Sequence, residues 1–128
     1  MPCVEPRSPS RQWIGLAAEC AVVDAVVGWG WVVLERNVRL GHYEIDVVAR
    51  DGRVLVVIEV RYRGEGSLTS GFGSLSPTKR IRVRRAGERL WHARYRLDAT
   101  VDRMRFDAAS VHFDTEGRAR VEYAKAAF

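Results

Sequence analysis

The dipeptide Asp51-Gly52, placed between two runs rich in β-forming residues, constrains this chain more than any other feature of it. An Asp-Gly pair in that position is the signature of a tight hairpin, because the turn needs positive φ values that glycine adopts without strain. The runs are residues 43–50 and 53–63, and the second is almost unbroken in apolar residues from Val54 to Val60. Such a run marks a central strand buried on both faces. Residues 31–38 read as a strand preceding the hairpin, which makes the middle of the chain a β-meander. Residues 104–113 and 119–124 form a further strand pair around a turn at 114–117.

Two helices complete the pattern. Residues 10–28 are apolar nearly all round, with Ser10 as cap and Gly28 and Gly30 as terminators, so this helix is expected to pack deep. A second helix is expected from Pro77 to about Leu97. Val83, Ala86, Leu90 and Leu97 form its apolar stripe, and Arg82, Arg85, Arg89 and Arg96 form a basic stripe beside it. The order is αβββαββ, an α/β fold, with no internal repeat or heptad run.

A length of 128 residues suits one domain. It is expected over 11–128, preceded by a flexible tail at 1–10, and the segment 64–76, with four glycines and four serines, reads as a mobile loop. Residues 14–34 are apolar enough to raise a membrane span. Glu19 and Asp24 would lie inside it, each at about 2.5–3.5 kcal/mol near a bilayer centre, so no membrane association is expected. The N-terminal residues lack a secretory pattern, and Cys3 and Cys20 make neither a CxxC pair nor a disulfide framework. A reducing compartment, the cytoplasm, is the expectation, and zinc is disfavoured.

The net charge of +5 is unevenly spread. Residues 1–60 hold 6 Arg against 8 Asp and Glu, net −2, and residues 61–128 hold 15 Lys and Arg against 8 acids, net +7. A basic half points to a polyanionic partner, and nucleic acid fits because each phosphate neutralised releases counterions. Only Lys79 and Lys125 are lysines. Arginine's fork suits phosphate, although coding bias alone would give the same count.

Alternation along a strand places Glu44 and Asp46 on one side of theirs, and Glu59, Arg61 and Arg63 together on the next. Pairing through Asp51-Gly52 sets Asp46 and Glu59 at similar distances from the turn, within reach of one cation if both face the same way. Two like charges about 4 Å apart repel by roughly 4 kcal/mol at an effective dielectric near 20. A divalent ion would remove that strain, and an oxygen-only donor set selects Mg²⁺ or Mn²⁺. Phosphodiester hydrolysis is the chemistry that such an ion supports beside a basic surface.

Arg36-Asn37, Glu44-Ile45-Asp46, Asp51, Glu59-Val60-Arg61-Tyr62-Arg63, Lys79 and Arg105-Phe106-Asp107 together resemble the YraN-like family of bacterial proteins, over residues 15–113. That family is similar to the restriction-endonuclease-like PD-(D/E)XK superfamily and to Holliday-junction resolvases. The resemblance implies a three-layer α/β fold, a mixed central sheet of about five strands flanked by helices. It implies Asp46 and Glu59 as metal ligands with Mg²⁺ or Mn²⁺, Glu19 as a supporting carboxylate beside Glu44, and Arg61 in the place of a catalytic lysine. Tyr43 stands where a glycine is usual. Arginine keeps the charge but does not trade protons, and Lys79 substitutes only if the start of the second helix brings it to the cleft.

Each residue also has a plainer reading. Strand carboxylates are commonly surface groups in salt bridges, and Glu19 reads equally as a solvent-facing residue. The Arg82, Arg85, Arg89 and Arg96 stripe reads either as a solvated face or, with Arg36 and Arg63, as phosphate contacts. Arg105 and Asp107 read as a structural ion pair. The three histidines lack ligand spacing, and the glycine pairs of the loop lack a phosphate-loop lysine. Trp29 and Trp31 are expected in the core, with Trp91 the better surface candidate. Three functions remain open: a Mg²⁺-dependent endonuclease-like enzyme acting on structured or damaged DNA, a nuclease-fold module that binds nucleic acid without cutting, and a protein-interaction domain. The related resolvases act as dimers, which adds a homodimer to the expected partners, although the sequence carries no interface signature.

Overall fold

A computed structural model describes residues 11–63 and 76–128. The elements are α1 (Arg11–Gly28), β1 (Val32–Leu40), β2 (Tyr43–Asp51), β3 (Val54–Arg63), α2 (Pro77–Leu90), a π-helical turn (Trp91–Tyr95), β4 (Arg103–Phe113) and β5 (Ala119–Ala124). They follow the expected αβββαββ order. The strands form one mixed sheet in the order β1-β2-β3-β4-β5, with β3 and β4 parallel and the other neighbours antiparallel. A parallel pair needs a crossover, and α2 supplies it. The tail 1–10 with its Ser10 cap, and the loop expected at 64–76 apart from Ser76, lie outside the described residues.

Alternation along β3 divides the core. Leu55 and Val57 pack with Val83, Ala86 and Leu90 of α2, whereas Val56 and Ile58 pack with Ala18, Val22 and Val26 of α1. The sheet is therefore the middle of three layers, as the resemblance implies. The hairpin forms where it was expected, but its turn falls one residue later than an Asp51-Gly52 connection: Asp51 pairs with Val54, so Gly52, at φ 59°, and Arg53 make the turn. Ser76 caps α2 by accepting from the Lys79 amide at 3.2 Å, and Pro77 occupies the first turn. Lys79 is thereby fixed in the opening turn, over the end of β3.

Three expectations are corrected. α1 is not buried all round: Leu16 and Val27 remain exposed on the side away from the sheet. The second helix does not continue its α-helical phase to Leu97. At Trp91 it widens into a π turn, closed by the Arg96 amide donating to the Trp91 carbonyl at 2.8 Å. A wider turn brings the fifth residue, not the fourth, back to the same face. Tyr95 therefore follows Leu90 into the core, and Leu97 is 87% exposed. Among the tryptophans whose side chains are described, Trp29 is the exposed one at 49%, because Gly30 at φ 89° turns the chain between it and buried Trp31, while Trp91 packs against the α2-side core. No helix among the described residues is long and apolar enough to cross a membrane.

Close packing between α2 and β4 depends on Gly87. A Cβ there would stand 2.3 Å from Cε1 and 2.6 Å from Cζ of Phe106. Alanine would gain about 1 kcal/mol of helix propensity, against about 1–3 kcal/mol for overpacking. Gly87→Ala is expected to destabilise on balance, by about 1 kcal/mol, and Gly87→Val by more. Urea unfolding measures this, and an unchanged or raised midpoint for Gly87→Ala would contradict the packing.

Candidate metal centre

The regular β2–β3 ladder ends at the Val47–Ile58 pair. One residue beyond it the alternation of β2 breaks: Ile45 packs on the α2 side, yet Val47 packs on the α1 side and Val48 on the α2 side. Asp46 sits at the break. Its Oδ2 accepts the Val60 backbone amide at 2.8 Å, so a carboxylate satisfies the amide where the ladder ends.

Glu44 lies two residues earlier, and Glu19 comes down from α1. One carboxylate oxygen from each of Glu19, Glu44 and Asp46 lies within 4.8 Å of the others. Asn37, held at φ 52°, sits among these acids. With its amide nitrogen turned toward them it donates to Glu19 at 3.1 and 3.2 Å and to Glu44 at 2.9 Å. Arg36 Nη2 lies 3.8 Å from Glu19 and 3.6 Å from the Cys20 sulfur. Arg36 thus lies beside the acid group.

Burial, then the Glu59 charge, push the Asp46 carboxyl up to about 7, against the lowering effect of the Val60 amide. Burial likewise raises Glu19, opposed by Asn37 and Arg36. Glu59 acts on Asp46 through its charge but is not one of the three clustered acids. It shares the α2 side with Leu55 and Val57. Both its oxygens are engaged there: Tyr43 donates to Oε2 at 2.7 Å, and Lys79 Nζ lies 2.9 Å from Oε1. The reach of Lys79 that the sequence left open is made. Arg61 follows on the same side, near enough to Tyr43 for its charge to oppose the upward shift of the phenol caused by burial and Glu59.

The basic stripe borders this second side. Arg85 and Arg89, with Arg39, Gly41 and His92, line a groove of about 800 Å³ against the β1–β2 turn. Arg82 and Tyr43 line its continuation of about 460 Å³. Arg96, past the π turn, lines neither. The Arg63 side chain lies outside what is described. Arg105 is the structural ion pair expected: it donates to both oxygens of fully buried Asp107, at 2.8 and 2.9 Å, and to Asp51 at 3.3 Å. Asn37 entered the sequence reading only within the Arg36-Asn37 motif, with no role assigned, because its left-handed conformation carries no pattern beyond the residue type itself.

Taken together, the molecule is a three-layer α/β protein with an oxygen-only acid cluster at the end of a central hairpin and an arginine-lined groove across the strand from it. The model of the uncharacterised protein family UPF0102 matches residues 18–111, and the chain belongs to that family. This bears out the YraN-like resemblance. The chain is 52% identical over 123 residues to a UPF0102 protein of Sorangium cellulosum, covering 96% of this chain and 85% of the relative. It is 38% identical over 117 residues to one of Streptomyces coelicolor, covering 91% and 88%. A third, from Anaeromyxobacter dehalogenans, is 35% identical over 118 residues, covering 92% and 85%.

The raised Asp46 carboxyl fixes the sign of a pH effect. Between the ordinary value of 3.8 and about 7 the folded chain holds a proton that the unfolded chain has lost. Stability contributed by this group therefore falls as pH rises through that window. Asp46→Asn keeps an oxygen acceptor for Val60 and removes the titration. The mutant is expected to gain stability relative to wild type between pH 5 and pH 8 in metal-free urea unfolding. A constant difference would refute the assignment.

Proposed function

We propose that this protein is a divalent-cation-dependent nuclease-type enzyme acting on nucleic acid, DNA above all, with its metal centre at Asp46. The observation that carries the reading is the convergence of Glu19, Glu44 and Asp46 within 4.8 Å around a carboxyl pushed up to about 7. Excess negative charge with oxygen donors only is the chemistry of a Mg²⁺ or Mn²⁺ site. Asp46, Glu44 and Glu19 would hold the ion, with Glu59 adjoining across the strand. When bound, it supplies a water of lowered pKa and stabilises charge on a phosphodiester.

The chain's own residues do the rest. Lys79 brings an ammonium against Glu59, the kind of group the resemblance expects where Arg61 stands, and the two cations stabilise charge on the α2 side. Arg82, Arg85 and Arg89, with Arg39, bind backbone phosphates in the groove, giving salt-sensitive and largely sequence-independent affinity. Arg96 and Arg63 extend that surface in this reading, and Arg36 positions Glu19. Location in the cytoplasm and action on structured or damaged DNA belong to the same proposal.

A second reading has one observation in its favour. Asn37 and Arg36 already serve Glu19, Asn37 and Arg39 serve Glu44, and Lys79 serves Glu59, so internal donors satisfy part of the charge that a metal would. In that case the protein holds nucleic acid without cutting it.

The test is cleavage of branched, nicked and linear DNA with Mg²⁺ or Mn²⁺, beside thermal unfolding with and without Mn²⁺. Mn²⁺ at a hundred times its dissociation constant is expected to stabilise wild type by about 2.7 kcal/mol and to leave Asp46→Asn nearly unchanged. Cutting by Asp46→Asn is expected to fall about a hundredfold or more. Undiminished cutting by the mutant would eliminate the enzyme reading, and Mn²⁺ stabilisation equal in both proteins would eliminate the metal centre. Salt-dependent binding with no cutting by wild type would establish the second reading.

A further inference from the structure

At the far end of α1 from its N-terminus, three aromatic rings from separate segments meet. Trp29 follows α1, Trp31 precedes β1, and Tyr123 lies on β5. Their ring centroids are 5.0 to 5.6 Å apart in edge-to-face contact. With Lys125 they line a recess of about 450 Å³. Trp31 and Tyr123 are held from behind, Trp31 by burial and Tyr123 by donating its hydroxyl to Asp107 at 2.6 Å. Trp29 leaves about half of its surface in solvent, flanked by exposed Val27 and Val32. A tryptophan fixed by its neighbours and open on one side is a stacking platform with little conformational entropy left to lose.

The charges around the recess select its occupant. An aromatic cage that takes organic cations leaves its ring faces free for them. Here Lys125 Nζ lies 5.6 Å and the Arg105 guanidinium carbon 5.4 Å from the Trp31 centroid, so cations of the protein already occupy that ring's surroundings. Asp107 and Asp51 neutralise Arg105. Among the described residues no carboxylate lies within ion-pair distance of Lys125. A flat, π-rich group attached to an anion matches an open indole beside an uncompensated ammonium.

We propose that this recess binds one nucleotide of single-stranded nucleic acid, its base stacked on Trp29 and its phosphate paired with Lys125. Ten residues of helical rise separate Glu19 from Trp29, on the order of 15 Å. The site is thus separate from the acid cluster and from the arginine groove. It rests on the proposed function only in taking nucleic acid as the partner, not on metal binding or cleavage.

The test is titration of an oligothymidylate of about twenty nucleotides, enough to span such a site, and of an abasic strand of equal length, followed by anisotropy in metal-free buffer. Wild type is expected to prefer the oligothymidylate. Trp29→Ala is expected to bind it about 5-fold to 150-fold more weakly and to bind the two strands alike, because stacking is lost and phosphate contacts remain. Trp29→Phe, which keeps a ring, is expected to recover part of the affinity, and Lys125→Ala to reduce the salt slope by about one. Trp29→Ala is expected to keep the wild-type stabilisation by Mn²⁺, so loss of the metal centre and loss of this site are told apart. Equal affinity of wild type for both strands, or unchanged affinity in Trp29→Ala, would overturn the proposal. So would a shift in self-association on Trp29→Ala without any effect on binding, which would make the patch a contact between copies.

Discussion

The hydrogen bond from the Val60 amide to the Asp46 carboxylate is the constraint from which the centre is built. Strand pairing between β2 and β3 stops at Val47 and Ile58, and a buried amide beyond that point needs an acceptor. Asp46 provides it at 2.8 Å, and the acid is thereby held inside the fold instead of in water. The same break in alternation lets Glu44 and Asp46 turn toward α1, while Tyr43 and Ile45 turn toward α2. Carboxylates collect on one side and the Glu59, Lys79 and Tyr43 set on the other, with a single strand dividing them.

Comparison with Asp107 shows why Asp46 is read as a centre and not as scaffold. Asp107 is fully buried, but both its oxygens receive protein donors: the Arg105 fork, the Tyr123 hydroxyl at 2.6 Å and the Ala126 amide at 2.9 Å. A buried carboxylate so surrounded is complete, and deleting a partner would only destabilise it. Asp46 receives one amide and faces three other acids, and burial with the Glu59 charge holds its carboxyl near 7. A fold has little reason to keep such repulsion unless something else relieves it.

Much of this was legible in the sequence. The Asp51-Gly52 pair and the apolar run of β3 announced the hairpin, and period-two spacing set Asp46 and Glu59 at similar distances from the turn, but it did not show that Glu59 faces Tyr43 and Lys79 while Glu19 and Glu44 gather with Asp46. Those signals are local, and local geometry is what a sequence encodes most directly. The break of alternation at Asp46 was not legible, because it depends on where a ladder between two segments gives out. Nor was the reach of Lys79, which depends on how the crossover helix lies over β3. Leu97 was misplaced for a related reason: its stripe assumed a constant helical period, and the π turn at Trp91–Tyr95 changes that period with no residue to announce it. Trp29 and Trp31 could not be told apart until the turn at Gly30 was known.

The β1–β2 turn then explains how opposite charges coexist so close together. Arg39, Arg85 and Arg89 crowd the turn so tightly that a Cβ on Gly41, already at φ 65°, would stand 2.6 Å from the Arg89 guanidinium. A larger residue would push Arg89 away and open the groove. Two residues beyond Gly41, Tyr43 borders that groove and hydrogen-bonds Glu59, and the next residue, Glu44, belongs to the acid cluster. Cations and acids meet across this turn: Arg39 Nε lies 3.8 Å from Glu44 Oε2 and Arg36 Nη2 lies 3.8 Å from Glu19 Oε2, so the protein's own cations offset part of the carboxylate charge. In the proposed function a metal ion would balance what charge is left on the acid cluster, and phosphate the arginines of the groove. A phosphodiester with its accompanying metal carries both signs and would satisfy the two sides of the hairpin together.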